Sequence, residues 1–106
     1  MSSLRVTLPN GGGVLQAPTV VGRGSQAQLD CPDLRVSRRH LQLRQEGGTW
    51  IAEDLGSRYG TWMDGFRVDR VEVTEPMTLR LGDAETGFPL QLAPVDSVGG
   101  APGRRL

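Results

Sequence analysis

Apolar and polar residues alternate along much of this chain with a period of two. Leu4, Val6 and Leu8 interleave with Arg5 and Thr7, and Leu41 and Leu43 with Gln42 and Arg44. Leu79 and Leu81 flank Arg80, and Leu90 and Leu92 flank Gln91. Successive side chains of a strand point to opposite faces, so this pattern predicts strands with one buried and one wetted face. Thr19-Val20-Val21 and Trp50-Ile51-Ala52 are apolar runs of strand length. Turn residues separate these segments: Asn10-Gly11-Gly12, Glu46-Gly47-Gly48, Asp64-Gly65 and Gly82-Asp83. The stretch from Gln45 to Thr49 predicts a tight hairpin turn. No segment holds a helical period for three turns. The expected fold is all-β: an antiparallel β-sandwich of about 10–11 short strands.

A length of 106 residues is that of one domain with its own core. From Val95 onward the composition shifts to Asp, Ser, Gly, Ala, Pro and Arg. The domain is therefore expected over residues 1–94, with a linker-like tail over 95–106. A single cysteine, Cys31, rules out a disulfide framework and suits a reducing compartment. The N-terminal residues lack an apolar signal core and no apolar run reaches bilayer length. A soluble, cytoplasmic domain without direct membrane insertion is expected, alone or as the cytoplasmic part of a larger membrane protein. Net charge is zero, which argues against a general nucleic-acid binder.

Three short motifs carry the candidate chemistry. Gly22-Arg23 ends an apolar strand, Ser37-Arg38-Arg39-His40 precedes another, and Ser57-Arg58-Tyr59-Gly60-Thr61 follows a third. They place arginines, hydroxyls and turn backbone on separate loops, a set suited to a dianionic phosphate. Guanidinium forks bind its oxygens bidentately, and a serine hydroxyl and loop N–H groups take what remains. Other chemistries lack their parts. One histidine and one cysteine make no metal-ligand set, and nothing near Cys31 would activate a Cys31–His40 pair. Glu53 and Asp54 are neighbours on a strand, face opposite ways and cannot act as a carboxylate pair. Asp54 is expected to bond turn backbone near Gly56. Gly22-Arg23-Gly24-Ser25 lacks the lysine and following helix of a nucleotide loop. No cofactor and no metal are expected, and no enzymatic activity.

In this order and spacing the motifs resemble the forkhead-associated (FHA) domain, a phosphothreonine-binding β-sandwich. The family pattern is Gly-Arg, then Ser-x-x-His, then Asn-Gly-Thr, here Gly22-Arg23, Ser37 to His40 and Tyr59-Gly60-Thr61. Asp54-Leu55-Gly56-Ser57, Asp64-Gly65 and Leu79-Arg80-Leu81-Gly82-Asp83 extend the match over roughly residues 4–94. The resemblance implies that loops at one end of the sandwich form the binding site. It implies phosphopeptide contacts from Arg23, Ser37 and Arg38, and from Arg58 and Tyr59 on the last motif. Arg35 would read a side chain downstream of the phosphothreonine. Gly22, His40, Gly60 and Thr61 would support the site structurally, and Trp50 and Trp62 would be core. Tyr59 departs from the family asparagine, whose amide both donates to and accepts from the peptide main chain; a phenol cannot copy both.

The implied partner is a phosphothreonine-containing protein, or a segment of the chain's own linker, downstream of a Ser/Thr protein kinase. The stretch from Leu79 to Leu92 is similar to FHA domains at the N-terminus of bacterial ABC transporters. The alternative is an FHA-like interaction domain whose site has lapsed and which binds partners independently of phosphate.

Overall fold

The computed structural model describes residues 2–96. Eleven strands follow one another: β1 (Ser2–Leu8), β2 (Gly11–Leu15), β3 (Thr19–Gly22), β4 (Leu29–Asp30), β5 (Leu41–Glu46), β6 (Thr49–Asp54), β7 (Thr61–Met63), β8 (Phe66–Val68), β9 (Arg70–Val73), β10 (Met77–Leu81) and β11 (Phe88–Asp96). They form a six-stranded sheet in the order β2-β1-β11-β10-β7-β8 and a five-stranded sheet in the order β4-β3-β5-β6-β9. The sandwich expected from the alternation is present. The last strand reaches Asp96, which pairs with Ser2, and the remainder of the expected tail lies outside the described residues.

The alternating leucines meet between the sheets. Leu4, Val6 and Leu8 of β1, Leu79 and Leu81 of β10, and Leu90 and Leu92 of β11 face Val21, Leu41, Leu43, Trp50, Ala52 and Val73 of the second sheet. Each such side chain contributes roughly 1.5–3 kcal/mol by leaving water. The Trp50 indole N–H has no partner among the described residues. Two hairpins use left-handed turn pairs that match the strand twist: Gly47 and Gly48 at φ 59° and 87°, and Asp64 and Gly65 at φ 52° and 84°.

Two local expectations are corrected. The sandwich is not wholly antiparallel, because β3 and β4 pair in parallel through Val21↔Leu29 and Gly22↔Asp30. Gly11 and Gly12 are strand rather than turn residues, pairing with Leu8 and Thr7. Their φ angles of 141° and 146° are open to glycine, so a run without side-chain alternation still extends the sheet.

Candidate functional site

Three loops meet at one end of the sandwich: β3–β4 after Gly22, the long β4–β5 connection, and β6–β7 after Asp54. The first two are stitched by backbone. Arg23 N–H donates to Ser37 O at 3.0 Å, and its Nε donates to Val36 O at 3.0 Å. They approach so closely that a Cβ on Gly22 would stand 2.0 Å from Arg38 O. The glycine that closes β3 is thus a requirement of the neighbouring loop.

His40 joins all three. Its ring is fully buried, with Nδ1 accepting the Ser37 N–H at 3.0 Å and Nε2 lying 3.0 Å from Gly60 O. An acceptor at Nδ1 and a carbonyl at Nε2 require the neutral ring protonated on Nε2. Burial pushes its pKa below the ordinary value, and the nearby Arg67 charge adds to this. The hydrogen bond to Gly60 O and the Asp54 carboxylate act in the opposite sense and do not prevail. His40 backbone completes the junction: its N–H donates to Val21 O and its carbonyl accepts from Leu55 N–H, both at 2.9 Å.

Asp54 organises the β6–β7 loop. Its Oδ1 accepts from Gly56 N–H at 2.8 Å and Ser57 N–H at 2.7 Å. Its Oδ2 accepts from the Ser57 hydroxyl at 2.6 Å and the Thr61 hydroxyl at 2.8 Å. Burial alone would raise its pKa, but these donors outweigh it and hold the carboxyl below its usual value. The buried Ser57 Oγ accepts the Gly60 N–H at 3.1 Å, and Gly60 turns the chain at φ +92°. This is an Asx-type turn of the kind short polar side chains impose on backbone.

The candidate phosphate ligands stand on this scaffold. Ser37 Oγ accepts the Arg58 N–H at 3.1 Å, which leaves the hydroxyl proton for an incoming oxyanion. Arg38, Arg39 and Arg58 are exposed, and no carboxylate lies within 4.0 Å of them among the described residues. Arg23 is half-buried, with its terminal nitrogens turned to no protein acceptor among the described residues. Tyr59 is 45 % exposed, and the Arg58 guanidinium carbon sits 5.3 Å from its ring centroid. The set suits a compact dianion: guanidinium groups without carboxylate partners on the same joined loops as one oriented hydroxyl.

One sequence expectation parts from this geometry, the core placement of Trp62, and Arg35 has partners within the protein. Its guanidinium is held by both Asp33 oxygens at 3.0–3.1 Å and by Thr86 Oγ1 and O at 2.7 Å. It thereby clamps the β4–β5 loop onto the β10–β11 loop. An acid two residues away and a threonine hydroxyl supply its partners more cheaply than solvent would. Trp62 is not core: it is half-buried on the outer face of its sheet, and its Nε1–H donates to Tyr59 O at 3.0 Å. Thr61 takes the inward position instead. Arg67 was not anticipated. It comes from β8, and a Cβ on Gly60 would meet its Nε at 2.7 Å, so its guanidinium lies against the loop. Only the β7–β8 register brings it there, and no local motif marks it.

Residues 19–84 match the family model of the FHA domain. The chain belongs to the FHA family. The FHA domain-containing protein FhaA of Mycobacterium tuberculosis H37Rv is 33 % identical over 88 residues, covering 79 % of this chain and 17 % of FhaA. The ABC transporter ATP-binding/permease protein Rv1747 of the same organism is 33 % identical over 66 residues, 62 % of this chain and 8 % of Rv1747. This FHA chain thus spans a small part of either protein. The crystal structure of Rv1747 FHA-1 superposes with a TM-score of 0.84 at 28 % identity, covering 90 % of this chain and 98 % of that one. An FHA domain solved in a study of phosphothreonine-dependent FHA domain interactions gives 0.70 at 28 % identity, covering 89 % and 96 %.

Proposed function

We propose that this FHA domain is a non-enzymatic module that binds a phosphothreonine-bearing segment. The segment belongs to a partner protein or to the longer polypeptide that carries the domain, and a Ser/Thr protein kinase acts upstream. The observation that carries this reading is the Ser37 hydroxyl, which accepts the Arg58 N–H at 3.1 Å on a loop junction where Arg23, Arg38 and Arg58 have no carboxylate partner among the described residues. Arg23, Ser37, Arg38 and Arg58 bind the phosphate, and Tyr59 contacts the peptide through its ring or hydroxyl. Gly22, His40, Gly60 and Thr61 hold these groups in place. Arg35 keeps its loop in position, and peptide reading by it would require release from Asp33 and Thr86.

The likeness to Rv1747 supports placing the domain as the cytoplasmic FHA part of an ABC transporter. Among the described residues no helix is long and apolar enough to cross a membrane. Against catalysis stands Cys31, fully buried, its thiol pushed up to about 12 first by burial and then by the Asp30 and Asp33 charges. No metal-binding group of His, Cys, Asp and Glu occurs among the described residues.

Titration of matched phosphorylated and unphosphorylated threonine peptides from an oriented library tests the reading. A phosphate-dependent binder weakened by Ser37→Ala supports it. Equal binding of both forms would favour the phosphate-independent alternative that Tyr59 raises.

A further inference from the structure

Arg67, Trp62 and Arg80 form a row on the outer face of the six-stranded sheet. Trp62 lies directly opposite Arg67 on β8 and directly opposite Arg80 on β10. Their in-register neighbours Thr61 and Leu81 point inward, which fixes the row on the solvent side. Across three strands about 4.8 Å apart, the row spans roughly 10 Å, the length of three extended residues.

Two links tie the row to the phosphate-binding end. The Trp62 indole donates to Tyr59 O at 3.0 Å, and the Arg67 guanidinium lies against Gly60. Both side chains therefore lean toward the β6–β7 loop. Arg80 donates through one terminal nitrogen to Gly87 O at 3.1 Å, and among the described residues no carboxylate lies within 4.0 Å of Arg67 or Arg80.

The opposite sheet shows what a merely solvated face does with arginine in this chain. There Arg44 is bound to Glu46 and Glu53 at 2.7 and 2.6 Å, and Arg70 to Glu46 at 2.7 Å. Net charge is zero, so carboxylates are available to pair. The Arg67–Trp62–Arg80 row is left unneutralised beside a site that takes an anion.

We infer that this row is a second contact surface, and that it takes an acidic segment of the same phosphorylated polypeptide that the loops hold. The inference rests on the phosphothreonine reading above. Two guanidinium groups flanking an indole suit aspartate or glutamate side chains whose backbone passes over the ring. A single-stranded nucleic acid also stacks on aromatics between arginines. A polypeptide is favoured because the adjoining loops already hold one and the row is only three strands wide.

The test compares a short phosphothreonine peptide with versions carrying a run of four glutamates, or four glutamines, on either side. One glutamate version should bind about fivefold tighter than its glutamine counterpart, the effect of two solvent-screened ion pairs. That gain should fall to about twofold in Arg80→Gln, which removes one of the two pairs, and vanish in roughly 0.5 M salt, while Arg80→Gln leaves the short peptide's affinity unchanged. Trp50 is buried, so acrylamide quenching reports Trp62, and the glutamate version alone should shield it. A gain undiminished in Arg80→Gln, or no gain from either extension, overturns the inference while leaving the phosphothreonine reading intact. Shielding of Trp62 by oligothymidylate at equal concentration, without shielding by the glutamate peptide, would assign the row to nucleic acid instead. Failure of every phosphopeptide to bind would overturn both.

Discussion

Replacing Gly22 with alanine should damage both stability and binding, and the size of each effect follows from one contact. The added Cβ would stand 2.0 Å from Arg38 O and 2.9 Å from Ser37 O. The first distance is about 1.5 Å short of a van der Waals separation. Both obstacles are backbone, so neither can rotate away. The Ser37–Arg38 segment must retreat, and with it go the Arg23 N–H to Ser37 O bond of 3.0 Å and the alignment of Ser37 N–H on His40. Overpacking of this kind costs about 1–3 kcal/mol, and one impaired hydrogen bond about 0.5–1.5 kcal/mol. A loss of about 2–4 kcal/mol is expected, a large share of the ~5–15 kcal/mol typical of a small domain. Urea denaturation followed by Trp50 fluorescence measures it. Gly13→Ala is the control, because nothing lies within 4 Å of its Cβ position; it should fall within about 0.5 kcal/mol of wild type. Under conditions where Gly22→Ala is still folded, displacement of the Ser37 hydroxyl by about 1 Å should weaken phosphopeptide binding at least tenfold. A Gly22→Ala midpoint equal to that of Gly13→Ala would refute the close approach. Lost stability with unchanged affinity would refute its link to the site.

Three further outcomes are expected. Arg23→Ala and Ser37→Ala should each cost about 1.5–3 kcal/mol of phosphopeptide affinity by calorimetry, the value of one charge-assisted bond; unchanged affinity in both would place the phosphate elsewhere. Tyr59→Asn should tighten binding about tenfold by restoring two main-chain hydrogen bonds of about 0.5–1.5 kcal/mol each, whereas weakening by Tyr59→Asn but not Tyr59→Phe would make the ring a contact. His40 is neutral in the fold with a lowered pKa, so the unfolded chain binds the proton more readily and stability must fall as pH drops below about 6.5. Nitrogen-15 NMR should show the Nε2-protonated ring with a midpoint below that value, and a midpoint above it would contradict the buried-acceptor geometry.

The sandwich was legible because its core strands alternate. Leu4, Val6, Leu41, Leu43, Leu79, Leu81, Leu90 and Leu92 are all buried where period two puts them. Strands without that signal were not legible. Gly11 to Gly13 carry no side chains to alternate, and β4, β7 and β8 are two or three residues long. The site was legible wherever chemistry is local: Asp54 reaching Gly56 and Ser57 is a turn written in adjacent residues. Side-chain partners were not legible where an arginine had a choice. Arg35 sits two residues from Ser37, but the pull of Asp33 and Thr86 decides its direction, and Thr86 is 51 residues away in sequence. Trp62 follows Gly60-Thr61, and its outward position depends on the pleat of a three-residue strand. Arg67 enters only through β7–β8 pairing.

The division of labour among polar groups explains why so small a surface can hold an anion without collapsing on itself. Loop backbone needs partners, and exposed arginines would readily supply donors for its carbonyls. Most of the loop donors, however, are N–H groups that need acceptors, which no arginine has, and buried or partly buried short side chains supply them. Asp54, Ser57 and Thr61 satisfy the β6–β7 turn, and His40 serves Ser37 N–H and Gly60 O from the interior. Among the described residues Arg38 and Arg58 are left without hydrogen bonds or ion pairs through their side chains, apart from the Arg58 stack on Tyr59. No carboxylate among the described residues lies within 4.0 Å of them, and the Asp54 carboxylate spends its lone pairs on four neutral donors of its own turn. A domain of zero net charge can in this way keep arginines without carboxylate partners on its loops. The same logic makes Asp54 the residue whose loss should be felt at the phosphate without touching it: the Gly56 and Ser57 N–H groups and the Ser57 and Thr61 hydroxyls would lose their acceptor, and the turn that carries Arg58 would loosen.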